Sequence, residues 1–204
     1  DKNARINILE KVLQSVWDDT GALCAIARNW EAKDAGQGKK ILEKRFRILQ
    51  KHPCQYHVAH EMACIANELF IIDKEESIRA FEKSIEAAKE IDYYIDSYSS
   101  SDNSYKEMQQ EKSVIYRNIA VEIGCIPDIS IKNELFNFAL HASIDPFAND
   151  PDGFCHLAFI EILFQIFQFD PEKSLTLFKE LRISNNEILC TLLEGLTFLQ
   201  VNKY

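Results

Sequence analysis

One pattern of apolar and small side chains recurs along this chain at helical spacing. In its clearest copy Asp73 is placed to cap the second of two helices, and the pattern comprises Met62, Ile65, Ala66, Leu69, Ile72, Ser77, Phe81 and Ser84. The same offsets recur from Phe159 and Tyr116 and, in a weaker copy, from Leu23, so successive starts lie 39, 54 and 43 residues apart. A hairpin of two such helices cannot bury its apolar face alone, so the repeat predicts a stack of antiparallel helical hairpins.

The order of residues within this template resembles the repeat of the tetratricopeptide-repeat (TPR-like) helical family. That family has large, apolar, small and aromatic positions in the first helix, then small, aromatic and small positions in the second, which is similar to the order from Met62 to Ser84. The resemblance covers residues 20–183, although the family's usual Trp, Gly and Tyr are missing from the first helix. It implies a right-handed α-solenoid that binds a protein or peptide segment along the side lined by the first helices.

The whole chain, residues 1–204, is predicted to be one all-α domain. Six Gly and five Pro leave long stretches without helix breakers. We predict about nine to ten helices: an N-terminal helix within residues 1–19, about four hairpins within 20–183, and a capping helix within 184–204. In the third copy we expect a helix from about 130 to 142, followed by a turn at 145–153.

The cysteines indicate a reducing compartment. Six of them are scattered along the chain without any CxxC pair, which is typical of free thiols in cytosolic proteins. No apolar stretch is long enough for a membrane span, and the amino terminus lacks the pattern of a secretory signal. We therefore predict a cytoplasmic protein that does not associate with a membrane.

The charge is unevenly distributed. The net charge of −9 disfavours nucleic acid as a partner, yet residues 1–51 carry +4. The basic residues concentrate in 39–51, and we interpret them as a solvated helix face, since Phe46 is the single aromatic residue among them. Docking of this basic segment on an acidic partner, or on another domain of the same chain, stays open as an alternative.

The nearest approach to a metal-binding pattern lies at the start of the central hairpin. His60 and Cys64 are four residues apart and share one helix face, while His57 and Glu61 share a different one. This is neither of the common zinc-protease spacings, and helical His and Cys more often pack or cap than bind metal. We predict no metal, no cofactor and no catalytic residue. A metal-dependent enzyme that uses His57, His60 and Glu61 is the alternative.

The resemblance implies that partner-binding residues lie between the core positions of the first helices. Those candidates are Arg28, His60, Asn67, Arg117, Asn118 and Glu161. TPR-like domains that bind a peptide carboxylate use Lys, Arg and Asn on this side, as charge-assisted donors. The positions here do not match that clamp residue by residue, so only the type of chemistry carries over. The predicted function is a non-catalytic protein-binding scaffold or adaptor.

Two further expectations concern assembly and context. The segment 154–169 is apolar on nearly all sides, and we expect the capping helix to cover it, which gives a monomer or a weak homodimer. The first residue is Asp rather than Met. This favours, as the alternative function, a helical sensor or regulatory arm of a larger multidomain signalling or defence protein.

Overall fold

The computed structural model describes residues 8, 11–13, 15–51, 56–90, 114–147 and 156–180, and every regular element within them is a helix. The all-α prediction is confirmed for this part of the chain. Residues 8, 11–13 and 15 are helical. The helices that follow are α1 (Thr20–Glu31), α2 (Gln37–Leu49), α3 (Tyr56–Ile72), α4 (Lys74–Glu90), α5 (residues 114–124), α6 (Ile129–Phe147), α7 (His156–Phe167) and α8 (Pro171–Glu180). The predicted capping helix at 184–204 lies outside the described residues.

Aspartates begin four of these helices. The side chain of Asp19 accepts a hydrogen bond from the Ala22 amide at 2.9 Å, and Asp73 accepts one from the Glu76 amide at 3.1 Å. Asp170 accepts one at 3.0 Å from the amide of Lys173, the third residue of its helix, and Asp128 caps α6. Each carboxylate satisfies an amide that has no partner inside its own helix. The predicted cap at Asp73 is therefore confirmed.

Consecutive helices pack as hairpins, and three of the hairpins have a close contact at the same template positions. The Ser77 hydroxyl of α4 donates to the Ala66 carbonyl of α3 at 2.6 Å, and the Ser174 hydroxyl of α8 donates to the Leu163 carbonyl of α7 at 2.9 Å. Both pairs occupy the same template positions, eleven residues apart. In the α1–α2 hairpin the equivalent positions are Ala27 and Gly38, where a Cβ on the glycine would overlap the Ala27 carbonyl oxygen.

The template positions supply the core. In the central copy all of them except the half-buried Ile72 are buried: Met62, Ile65, Ala66, Leu69, Ser77, Phe81 and Ser84. The buried side chains of α1 to α7 form one apolar cluster. Contacts link α1 with α3, α2 with α3, α4 with α6, and α6 with α7, so each hairpin also packs on its neighbour. Among the described helices none is long and apolar enough to cross a membrane.

The end of α6 differs from the prediction. This helix continues to Phe147 instead of ending near residue 142, and it passes through Pro146. A proline at position 146 has no N–H to donate to the Ala142 carbonyl, which lies four residues earlier. The hydroxyl of Tyr116 donates to that carbonyl from α5 at 3.3 Å. A side chain from another helix thus supplies the hydrogen bond that the proline removes.

Candidate functional site

Polar side chains connect α1, α3, α5 and α7, which are the first helices of the predicted hairpins. The contacts run from α1 to α3, from α3 to α5 and from α5 to α7. We call the residues that make them the polar row: Arg28, His60, Cys64, Asn67, Glu68, Arg117, Glu122, Glu161 and Gln165. These are the helices on which the sequence predicts the partner-binding residues.

Between α1 and α3, Arg28 binds Glu68 through two N–H groups. Nε lies 3.0 Å from Oε2 of the carboxylate, and Nη2 contacts Oε1. The carboxylate raises the pKa of the Arg28 guanidinium above its ordinary value, chiefly through these hydrogen bonds. The arginine side chain is 62% exposed and the glutamate 14%. The carboxylate is therefore largely covered, and the guanidinium remains accessible.

Between α3 and α5, Glu122 gathers three side chains of α3. Its Oε2 accepts a hydrogen bond from the Asn67 amide at 2.9 Å, and its Oε1 lies 3.5 Å from Cys64 Sγ. His60 Nε2 lies 3.5 Å from the same sulfur and 3.8 Å from Glu122 Oε1. The neighbouring His60 imidazole and the hydrogen bond from the Asn67 amide lower the pKa of Glu122, although burial opposes this. Burial and the Glu122 charge raise the pKa of the Cys64 thiol.

Between α5 and α7, Arg117 contacts Glu161. Its Nε lies 3.4 Å from Oε2, while the Gln165 amide donates to Oε1 at 3.0 Å. The side chain of Arg117 is 59% exposed and that of Glu161 is 19% exposed. This repeats the arrangement at Arg28, with a covered carboxylate that holds an accessible guanidinium.

The structure brings five of the six predicted partner-binding residues into the polar row: Arg28, His60, Asn67, Arg117 and Glu161. The sixth, Asn118, is half-buried on α5. Whether any of them contacts a partner stays a prediction.

The sequence analysis missed the acceptors Glu68 and Glu122 and the donor Gln165 as site residues. They share a signal, because each lies six positions after the start of its template copy, where the weaker copy has Asn29. A polar residue recurs at that offset in every copy, and at Glu68 and Glu122 it contacts the preceding first helix.

The basic segment 39–51 is not one solvated face. Lys39 Nζ lies 2.6 Å from Asp73 Oδ2, and Lys44 lies over the Trp17 ring at 5.1 Å from its centroid. The Arg45 side chain is only 9% exposed. The interpretation of this segment as a solvated helix face is therefore wrong at Arg45.

Arg45 is buried because it occupies a template core position of α2. There its Nη2 lies 2.9 Å from Glu61 Oε2, and its Nη1 lies 3.4 Å from Asp18 Oδ1. Glu61 also accepts a hydrogen bond from the Thr20 hydroxyl. Glu61 is thus engaged with α1 and α2, while His57 is exposed. Among the described residues, those at positions 57, 60 and 61 do not come together as a group that could hold a metal ion.

Neither a family model, a curated protein nor a solved structure matches this chain. The resemblance to the tetratricopeptide-repeat family therefore rests on the template residues of the sequence.

Proposed function

We propose that this chain is a non-catalytic helical-repeat domain that binds a protein or peptide segment as a scaffold or adaptor. In this proposal the hairpins stack as a right-handed, TPR-like α-solenoid, and the polar row faces the ligand. Two facts support the arrangement. The Ala66–Ser77 and Leu163–Ser174 contacts occupy identical template positions, and the first helices are connected to one another by side chains.

The observation that carries the proposal is the pairing of accessible arginines with covered carboxylates. Glu68 and Glu161 restrain Arg28 and Arg117, so these side chains lose less freedom when a ligand binds than unpaired arginines would. An arginine has five N–H donors, and the contact with Glu68 uses two of those of Arg28. The remaining donors suit the carboxylates or carbonyl oxygens of an extended acidic peptide.

The chemistry of the described cysteines agrees with a cytoplasmic location, which is part of this proposal. Cys24, Cys64 and Cys125 are free thiols, and Cys125 is exposed. An exposed free thiol persists in a reducing compartment and tends to oxidise outside it.

The test compares neutral substitutions on two surfaces. The variant Arg28→Gln/Arg117→Gln removes both arginine charges of the polar row. The expected result is at least about tenfold weaker capture of the partner, since hydrogen bonds to charged groups contribute about 1.5–3 kcal/mol each. Captured proteins would be identified by quantitative mass spectrometry, and their affinity would be measured with purified components. Replacement of both arginines by Glu is less informative, because it would place a second carboxylate beside Glu68 and another beside Glu161.

The matched control is Arg47→Gln/Arg79→Gln. These side chains are also exposed, and they line a cavity of about 220 Å³ between α2 and α4. Equal loss of capture in both double variants would mean a general effect of charge. Loss in the control variant alone would contradict the proposal and move the binding surface to this cavity.

A further inference from the structure

We propose that His60, Cys64 and Glu122 form a binding site for a divalent transition-metal ion of the zinc class. The three side chains offer one nitrogen, one sulfur and one oxygen ligand. Their atoms lie 3.5 Å (nitrogen to sulfur), 3.5 Å (sulfur to oxygen) and 3.8 Å (nitrogen to oxygen) apart. All three residues are half-buried, and together they form a set that could hold a metal ion.

These separations are close to those of a tetrahedral site. Zinc binds sulfur at about 2.3 Å and imidazole nitrogen or carboxylate oxygen at about 2.0–2.2 Å, so tetrahedral angles place the ligand atoms about 3.3–3.6 Å apart. The two distances to Cys64 fall within that range. The remaining distance, between His60 and Glu122, exceeds it by a few tenths of an ångström. A small rotation of the His60 or Glu122 side chain would bring this third distance into the tetrahedral range.

The helices hold the ligands in place. His60 and Cys64 lie one turn apart on the same face of α3, and Glu122 approaches from α5, 58 positions after Cys64 in the chain. The second oxygen of Glu122 is fixed by the Asn67 amide at 2.9 Å. Such an outer hydrogen bond orients a metal-binding carboxylate and strengthens the site.

The ligand types select the metal. A thiolate and an imidazole favour zinc, cobalt and other soft or borderline ions, whereas magnesium and calcium require a shell of oxygen atoms. The side chain of His60 is 39% exposed, so solvent reaches the group. A metal bound here would have three protein ligands and a water molecule in the fourth position.

This inference departs from the prediction that the chain binds no metal. The sequence places His60 and Cys64 on one helix face, but it does not show that Glu122 completes the set. A bound ion would connect α3 to α5 and would therefore link two hairpins. Metal binding by the purified chain requires no partner, so the inference stands or falls independently of the proposed function.

The test is a titration of the metal-free full chain with Co²⁺, followed by displacement with Zn²⁺. We expect one Co²⁺ per chain, with a thiolate-to-cobalt charge-transfer band and the visible bands of tetrahedral cobalt. Cys64→Ser should abolish the charge-transfer band. Loss of either other ligand, in His60→Ala or Glu122→Gln, should weaken binding by at least about 100-fold, and Asn67→Ala by about 10–100-fold.

The controls separate this site from other metal-binding groups. Cys125→Ser removes an exposed thiol, and His57→Ala removes an exposed imidazole of the same helix α3, so both variants should bind cobalt like the unmodified chain. Circular dichroism would verify that each variant is folded. A charge-transfer band that survives in Cys64→Ser, or unchanged affinity in Glu122→Gln, would overturn the proposal. So would the absence of bound cobalt in the unmodified chain.

Discussion

A buried charge pair is the most demanding interaction at the scale of single residues. Arg45 and Glu61 lie 2.9 Å apart, and the Nε of Arg45 is buried without a hydrogen-bond partner among the described residues. A pair of this kind need not add to stability, but removing one member leaves the other uncompensated. The sequence hides this pair, because a basic residue in a run of basic residues looks like part of a solvated surface.

We expect Arg45→Ala to lower the free energy of unfolding by about 3 kcal/mol. This is the lower end of the cost of breaking a buried charge pair, because Glu61 keeps its hydrogen bond from Thr20. Urea denaturation would measure the change. The control is Arg79→Ala, in which an exposed pair with Glu76 is lost at a cost of about 0–1 kcal/mol. Equal costs for the two variants would contradict the burial of Arg45.

The Glu122 carboxylate should make stability depend on pH. Its pKa in the folded chain lies below the ordinary 4.5, so its contribution is complete above that value and is lost as the pH falls through the folded pKa. Glu122→Gln mimics the protonated acid. The difference in the free energy of unfolding between this variant and the unmodified chain should therefore shrink as the pH falls from about 7 to about 3. Urea midpoints at several pH values would show it, and a difference that stays constant over this range would contradict the prediction.

At the scale of helices, the closest approach between α1 and α2 depends on a missing side chain. A Cβ at Gly38 would overlap the Ala27 carbonyl oxygen and lie 2.8 Å from the Glu31 Cβ. These are backbone and near-backbone atoms that cannot easily move. Where the α3–α4 and α7–α8 hairpins have serine, this hairpin accepts only glycine.

Gly38→Ala should therefore destabilise the chain by about 1–3 kcal/mol, in spite of the better helix propensity of alanine. Thermal and urea unfolding would measure this. Gly21→Ala is the matched control, because its Cβ would meet only Asp19 Oδ1 at an ordinary 3.5 Å. That variant should be neutral or more stable by up to about 1 kcal/mol. If both substitutions are neutral, the two helices do not approach as closely as described.

The end of α6 offers a second test on helices. Tyr116→Phe removes the hydroxyl that donates to the Ala142 carbonyl and should cost about 1–2 kcal/mol. Pro146→Ala restores a backbone N–H that can reach the same carbonyl. The cost of Tyr116→Phe should therefore be smaller in a chain that already carries Pro146→Ala, which a double-mutant cycle measures. Additive effects would show that the hydroxyl and the proline act independently.

The predictions from the sequence were correct where a helix end or a helix contact depends on residues that are near one another in the chain. Asp73 and the small residue at Ser77 indicate both the end of α3 and the contact with α4, because caps and close crossings depend on residues near in sequence. The end of α6 was predicted wrongly since its last turn depends on Tyr116, which belongs to another helix.

At the scale of the whole molecule, periodicity indicates the class of fold but not which distant residues meet. Copies of the template start at irregular intervals, so the sequence does not fix the register between neighbouring first helices. The contact between Cys64 and Glu122 depends on that register. Five members of the polar row were predicted as residues on the first helices, whereas the acceptors Glu68 and Glu122 and the donor Gln165 were missed.

The apolar character of α7 gives a prediction for the complete chain. Ile162, Leu163, Ile166 and Phe167 of this helix are buried. The predicted capping helix at 184–204 lies outside the described residues, and it offers a wide apolar face to cover what remains. Deletion of 184–204 should give a chain that aggregates, as measured by size exclusion and light scattering. A soluble, monomeric deletion product would show that the segment is detachable and has a different role.

The polar row also affects how the hairpins unfold together. Within each hairpin the close contacts are buried hydrogen bonds and apolar packing, as at Ser77 and Ala66. Between neighbouring hairpins, part of the coupling comes from accessible ion pairs such as Arg28 with Glu68 and Arg117 with Glu161. Dissolved salt weakens accessible pairs and leaves buried contacts nearly unchanged. Ionic strength therefore acts on the cooperativity between hairpins more than on the hairpins themselves.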